Sequence, residues 1–349
     1  MKAIQYHGNK DIRLEEIPLP NIENTEVLIK IDYCGLCATD IEEYLYGPNS
    51  IKKTPMTPGH ELVGTVENIG KSVTNITPGQ RVVIDGIISC QKCLACTKEL
   101  NNQCTERGTV GFSYNGGFAE YLIWPAEQAF SLPDSVSTES AALIEPASVA
   151  CHAIELAKIQ PNETVCIIGA GTLGLLAAQI AKIKTSKVIA IDTREISLQL
   201  AKNLGITQTI DVKNKDMHEE LKTLTAGKMP EVIIETAGGP TALKSSIENV
   251  KTGGRIIMVA VQGQDLKVPV DTIVNKELQL IGTGGYRTHN VKEAINLLEK
   301  KQLITDCLIS GYINLEEVIS DGYNKMMSKE KNIFRLLVDP HNKHQTLNK

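Results

Sequence analysis

Residues 26–33 (EVLIKIDY) and 61–69 (ELVGTVENI) alternate apolar with polar positions, the two-residue period of a strand with one buried face, and Pro58-Gly59 and Pro78-Gly79 bound these runs. The early part of the chain therefore predicts antiparallel strands in a β-rich domain. From about residue 160 the rhythm changes. Short apolar runs (TVCIIG, KVIAID, EVIIETA, GGRIIMVA, ELQLIG) alternate with helix-like stretches at 172–184, 195–204, 215–226 and 240–250. Strand and helix in alternation predict an α/β domain with a doubly wound parallel sheet. The stretch 291–300 (VKEAINLLEK) and its continuation fit no further strand–helix unit, so they are expected to return to the first domain, and only HNKHQTLNK at the end reads as a polar tail. The expected division is 1–152 with 287–349 for the first domain and 153–286 for the second. No internal repeat or low-complexity stretch interrupts it.

Composition changes this picture little. A chain of 349 residues with 42% hydrophobic content fits two globular domains. A net charge of −5 gives no reason to expect nucleic acid or an anionic membrane as partner, which leaves a small diffusible ligand. The start, MKAIQYHGNKDIRLEE, is charged where a signal peptide needs an apolar stretch, and no run of 18 apolar residues occurs, so a cytoplasmic protein is expected. Cysteines in that compartment stay reduced; four of the nine are clustered, which points to metal before disulfides.

Gly169-Ala170-Gly171-Thr172-Leu173-Gly174 directly follows the run TVCIIG and opens a helix, the context in which GxGxxG binds a dinucleotide. Gly169 permits the tight turn, Gly171 the close approach of the pyrophosphate and Gly174 tight helix–strand packing, with the pyrophosphate at the helix N-terminus. The run KVIAID ends in Asp192, whose carboxylate suits the ribose hydroxyls of NAD and repels the 2′-phosphate of NADP; Arg194, two residues on, softens that preference. A glycine-rich turn in an unrelated α/β protein is the competing reading.

Cys90, Cys93, Cys96 and Cys104 have the spacing C-x2-C-x2-C-x7-C, which suits a closed tetrahedral structural zinc site with no place for water. An iron–sulfur cluster competes, but no Pro follows the last Cys and the run occurs once; incidental surface thiols are the third reading. Cys37, His60, Glu61 and Glu145 are individually weak signals. Together they offer a sulfur, an imidazole and two carboxylates, a mixed set able to hold a zinc with an open position, where the ion acts as a Lewis acid toward an alcohol.

GLCATD (35–40), PGHE (58–61), the four-cysteine lobe, IEP (144–146) and GAGTLG (169–174) fall in the order seen in the zinc-containing medium-chain dehydrogenase/reductase family, which the chain resembles over essentially its whole length. The resemblance implies a GroES-like catalytic domain beside a Rossmann domain, two zinc ions per chain and NAD. It implies Cys37 and His60 as ligands of the catalytic zinc and Glu145 in the third ligand position. Glu61 resembles the carboxylate that binds zinc directly in polyol dehydrogenases and intermittently in others, which leaves the division between the two glutamates open. Cys34 is read as a bystander. Thr39 matches the hydroxyl that passes on the alcohol proton; the alternative is a helix cap. Glu42 stands where many members carry a histidine ending the proton relay, so that last step is left open.

YCGLCATDIEEYLYGP, IGTGGYR at 281–287 and DGYNKMMSKEKNIFRLLV resemble the 2,3-butanediol dehydrogenases of the family, with the sorbitol and other polyol dehydrogenases similar throughout. The implied substrate is a vicinal diol or polyol; a polyol phosphate, L-threonine and a noncatalytic NAD-binding protein are the alternatives. Glu43, Glu145 and Arg287 are candidates to meet substrate hydroxyls or to face solvent. Relatives of this kind are usually homotetramers or dimers through the Rossmann domain's edge strand, and GGRIIMVAV followed by ELQLIGTG offers such an apolar edge.

Overall fold

The computed structural model of the chain describes residues 1–261, 265–328 and 332–344. It divides into two compact units: Met1–Glu145 with Arg287–Glu299 and Thr305–Lys349, and Pro146–Tyr286 with Lys300–Ile304. Among the described residues no helix is long and apolar enough to cross a membrane.

The first unit is the GroES-like one, built on a seven-stranded sheet. Its centre is the eleven-residue strand Glu26–Leu36, which pairs antiparallel with Glu61–Ile69 along one edge. Its other edge is shared by Tyr121–Pro125 and by Arg335–Val338 from the far end of the chain. The alternation in EVLIKIDY predicts one wet face, yet nearly every position of this strand is buried. Asp32 is the telling residue. Its buried carboxylate accepts a hydrogen bond from Thr65 Oγ1 (2.8 Å) and pairs with Lys343 Nζ, so the polar position sits under the returning chain. The helix Thr288–Glu299 belongs to this unit, and Thr288 Oγ1 donates to the buried Asp85 (2.6 Å). The polar end is partly ordered: His344 stacks on Tyr312 with ring centroids 4.0 Å apart, while residues 345–349 lie outside the described residues.

The second unit is a Rossmann unit: six parallel strands in the order Gln208–Asp211, Val188–Asp192, Val165–Ile168, Val232–Glu235, Arg255–Met258, Gln279–Gly282. Counted within the unit this is 3-2-1-4-5-6, which opens a crevice at the carboxyl ends where the winding reverses. Gln208–Asp211 escapes the sequence pattern because it is a short outer strand in which only Ile210 is buried.

The glycine motif lies at that reversal. Gly169 has φ +94°, and a Cβ there would stand 2.8 Å from the Ala237 nitrogen. A Cβ on Gly174 would stand 1.8 Å from the Gly169 carbonyl oxygen, to which Thr236 Oγ1 also donates (2.8 Å). Gly174→Ala is therefore expected to push the helix off the strand and to cost about 1–3 kcal/mol, as overpacking does. Urea unfolding of the variant should show an earlier transition with weakened dinucleotide binding; an unchanged midpoint would mean that the loop gives way freely.

Candidate active site and metal centres

Antiparallel register brings the first ligand set together. Gly35 is the partner of Glu61, so Cys37, just past one strand, and His60, just before the other, meet at the same end of the sheet. Gly35 is needed there: a Cβ would lie 2.2 Å from Glu61 Oε2. Gly59, at φ +94°, turns the chain into His60 with a would-be Cβ 2.9 Å from Cys34 Sγ, so the buried Cys34 packs behind the turn. Cys37 is the N-cap of helix Ala38–Tyr46, and its backbone N–H donates to Asp40 (2.9 Å). The other Asp40 oxygen stands 3.5 Å from His60 Nδ1, which leaves Nε2 facing Glu61 Oε1 at 4.0 Å.

Donor atoms of Cys37, His60 and Glu61 all lie within 4.8 Å of one another. Glu145, in the first turn of helix Ile144–Ala157, stands beside this set and interacts electrostatically with His60, Glu61 and Asp40. Burial pushes its carboxyl up to about 7; His60 and Arg335 pull it back, while Glu61 and Asp40 reinforce the rise. Burial lowers the His60 imidazole, but Asp40 and Cys37 more than offset this and hold it well above its usual value. Asp40 Oδ1, His60 Nδ1 and Glu61 Oε2 are buried without a well-formed hydrogen bond. A largely buried pocket of mixed sulfur, nitrogen and oxygen donors is one that a divalent cation fits.

Sequence reading missed Asp40 and Arg335. Arg335 is buried, donates from Nη1 to the Leu36 carbonyl (2.7 Å) and places Nε 3.0 Å from Glu61 Oε2. Its signal was present in IFRLLV, where an arginine inside an apolar strand requires a buried counter-charge. Thr39 Oγ1 lies 3.7 Å from Cys37 Sγ, and the Phe112 ring packs on His60 at 5.1 Å. Glu42 is exposed. Glu43 faces no substrate: it is buried, and its carboxylate accepts the backbone N–H groups of Asn49 (2.8 Å), Ser50 (3.0 Å) and Ile51 (3.1 Å), clamping the loop after the helix. Arg287 precedes helix Thr288–Glu299, its N–H donating to Asn290 Oδ1 (2.9 Å).

The second set is Cys90, Cys93, Cys96 and Cys104, again with donors within 4.8 Å of one another. Sulfur separations of 3.9 Å (Cys90–Cys96) and 3.5 Å (Cys93–Cys96) bracket the ~3.8 Å edge of a tetrahedron with 2.3 Å zinc–sulfur bonds. Cys104 Sγ accepts backbone N–H groups from Cys90 and Glu106, both at 3.3 Å, which hold the sulfur in place. Four sulfurs fit a closed zinc site.

In the second unit Gly171 caps helix Thr172–Lys184, with Leu173 in its first turn, and Asp192 ends the neighbouring strand. Asp192 accepts the Ala170 N–H (2.7 Å), tying the second strand to the glycine loop, and Arg194 lies alongside it.

A GroES-like unit with a Rossmann unit defines a dehydrogenase of the two-domain type. Residues 23–134 match the alcohol dehydrogenase GroES-like domain and residues 172–300 the zinc-binding dehydrogenase family. The chain is 32% identical to sorbitol dehydrogenase of Bacillus subtilis (strain 168) over 345 residues, covering 97% of each chain. The crystal structure of 2R,3R-butanediol dehydrogenase from Bacillus subtilis is 30% identical with a TM-score of 0.88, over 97% of this chain and 99% of that one. A putative zinc-binding dehydrogenase from Sinorhizobium meliloti 1021, bound to NADP, is 28% identical with a TM-score of 0.90, over 97% and 99%. The chain belongs to the zinc-containing medium-chain dehydrogenase family.

Two outcomes follow from the charge arrangement. Arg335→Met strands a buried carboxylate and is expected to destabilise the first unit by about 3–5 kcal/mol, with Glu61→Gln restoring most of the loss in the double variant. A double-mutant cycle in urea measures this, and the coupling should be larger after metal removal. In metal-free protein, Glu145 binds its proton more tightly folded than unfolded. Its contribution to stability is therefore full below about pH 4.5 and lost as the pH rises through about 7. Glu145→Gln should remove that fall from the unfolding midpoint measured against pH.

Proposed function

We propose that the chain transfers a hydride between a secondary alcohol, a vicinal diol such as 2,3-butanediol or a polyol, and NAD. The observation that carries this is the cluster of half-buried Cys37 with buried His60 and Glu61, and Glu145 beside it, a mixed donor set that suits a cation. Zinc, when bound, supplies Lewis acidity toward the alcohol oxygen. Cys37 and His60 hold it with a glutamate; the grouping of Glu61 with them supports Glu61 as the resting ligand, with Glu145 as the alternative. Asp40 fixes the imidazole by its Nδ1 side, leaving Nε2 for the site. Thr39 accepts the alcohol proton at Oγ1 and passes its own outward, a role that a hydroxyl fills because it donates and accepts at once.

The four-cysteine lobe holds a second, structural zinc. Asp192, Gly169, Gly171, Thr172, Leu173 and Gly174 form the dinucleotide site, and the carboxylate of Asp192 supports NAD. The relatives named sorbitol and butanediol dehydrogenase support the diol or polyol class. The outermost position of strand Gln279–Gly282 among the described residues, together with the exposed Val270 and Val274 of the preceding helix, supports a homo-oligomer, dimer or tetramer.

Metal analysis of purified protein, paired with an NADH absorbance screen over butanediol stereoisomers, polyols, polyol phosphates and threonine, tests the reading. Two zinc per chain and turnover on one substrate class are expected. Cys37→Ser should lose one zinc and more than about a thousandfold of kcat while ADP-ribose still binds. Cys96→Ser should instead lower stability or assembly. Full turnover in Cys37→Ser would refute the assignment of the catalytic metal.

A further inference from the structure

An aromatic ring lies against the imidazole of His60, supplied by the loop that follows strand Gly108–Thr109. Phe112 packs on His60 with ring centroids 5.1 Å apart and planes inclined by 40°. The same side chain touches the rim of the first unit's core, yet the residue stays half-buried where His60 is buried. An apolar residue thus keeps accessible surface beside a member of the donor cluster.

This loop is fastened to the turn that carries His60. Gly116 N–H donates to the Thr57 carbonyl (2.8 Å), Gly117 N–H to that of Gly59 (2.8 Å) and Phe118 N–H to that of Pro58 (3.0 Å), while Asn115 Oδ1 accepts the Thr57 N–H (3.1 Å). The approach is too close for side chains: a Cβ on Gly111, which has φ +76°, would lie 2.8 Å from the Gly59 carbonyl oxygen, and one on Gly116 2.1 Å from it. The loop's other ring, Tyr114, turns to Trp124 at 6.0 Å, edge to face. Backbone pairing, and not the ring contact alone, holds Phe112 on His60.

The carboxylates at this end of the sheet are engaged. Asp40 accepts the Cys37 N–H and faces His60, Glu61 pairs with Arg335, and Glu43 accepts loop N–H groups. A substituent of the reacting carbon that settles on Phe112 meets a hydrocarbon surface. A methyl group gains by leaving water there, whereas a hydroxymethyl group leaves its hydroxyl unpaired.

We propose that Phe112 is a specificity-determining residue, an apolar wall through which the site selects secondary alcohols bearing a methyl group on the reacting carbon over polyols, whose reacting carbon is flanked by hydroxylated carbons. The proposal rests on the reading of Cys37, His60 and Glu61 as the alcohol-oxidising site and narrows its substrate class.

Steady-state kinetics of the zinc-loaded protein with NAD test this on 2,3-butanediol and L-threonine, which carry that methyl group, and on sorbitol and xylitol, which do not. The better methyl-bearing substrate should exceed the better polyol by about 10- to 100-fold in kcat/KM, the range an apolar surface yields against an added hydroxyl. Phe112→Ser should lose most of this preference, while Phe112→Leu, still apolar, should keep it within about threefold. A ring that only packs the fold would lower all four substrates alike. Saturation-transfer NMR without cofactor gives a readout free of turnover: irradiating the phenylalanine ring protons should attenuate the methyl signal of 2,3-butanediol, and less so in Phe112→Leu. A polyol oxidised as well as the methyl-bearing alcohols, an equal loss on all substrates in Phe112→Ser, or the same methyl attenuation in Phe112→Leu would overturn the wall. Protein carrying both zinc ions that oxidises no alcohol overturns the underlying reading and the wall with it, a result distinct from turnover without preference.

Discussion

Burial of negative charge at one end of the central sheet is the constraint on which the first unit depends. Asp40, Glu61 and the thiol of Cys37 lie within a few ångströms of His60, and Glu145 adds a further carboxyl. Taking one such carboxylate out of water costs several kcal/mol unless it is paired, and here several are gathered. Arg335 answers part of that demand from a strand near the end of the chain. A divalent cation would answer the rest. The same surroundings shift proton affinity: Asp40 and Cys37 raise that of the His60 imidazole against the effect of burial, and burial raises that of the Glu145 carboxyl.

Everything that positions this charge is backbone pairing of distant segments. The strand Glu26–Leu36 receives Glu61–Ile69 on one side and, from near the end of the chain, Arg335–Val338 on the other, so three separate stretches deliver Cys37, His60 and Arg335 to one point. A one-residue slip in either ladder would turn Glu61 or Arg335 to the opposite face. Gly35 keeps the register usable, since any side chain there would occupy the position of the Glu61 carboxylate. The second unit solves its own problem in the same way: a missing Cβ at Gly174 lets the helix start against the Gly169 carbonyl.

What was legible in the sequence is what depends on local order. Apolar runs alternating with helical stretches gave five of the six parallel strands, and the sixth escaped because QTID buries one residue. The two donor clusters were legible because Cys37, His60-Glu61 and the four cysteines have distinctive chemistry in distinctive spacing, and the fold gathers each set. Partners supplied by strand pairing were not. Nothing near Glu61 in the sequence announces Arg335, 274 residues away, and nothing near Glu43 says that its carboxylate is spent on three backbone N–H groups of the following loop. The EVLIKIDY alternation misled for a similar reason: Lys343 returns from the chain end to cover Asp32.

Arg335 also bears on how a metal at this site would behave. A cation surrounded by thiolate and several carboxylates is progressively neutralised, and a neutralised ion polarises a substrate oxygen poorly. By engaging Glu61 Oε2, the guanidinium removes part of that carboxylate's charge from the ion and leaves Oε1 on the His60 side. The same contact restrains the side chain, so that Glu61 approaches or withdraws as a tethered group instead of a free one. A metal choosing between Glu61 and Glu145 would then weigh a carboxylate held by a buried cation against one whose ionisation is opposed by its surroundings. The balance lies in the ion pair, and the ion pair lies in the pairing of strand Arg335–Val338 with strand Glu26–Leu36.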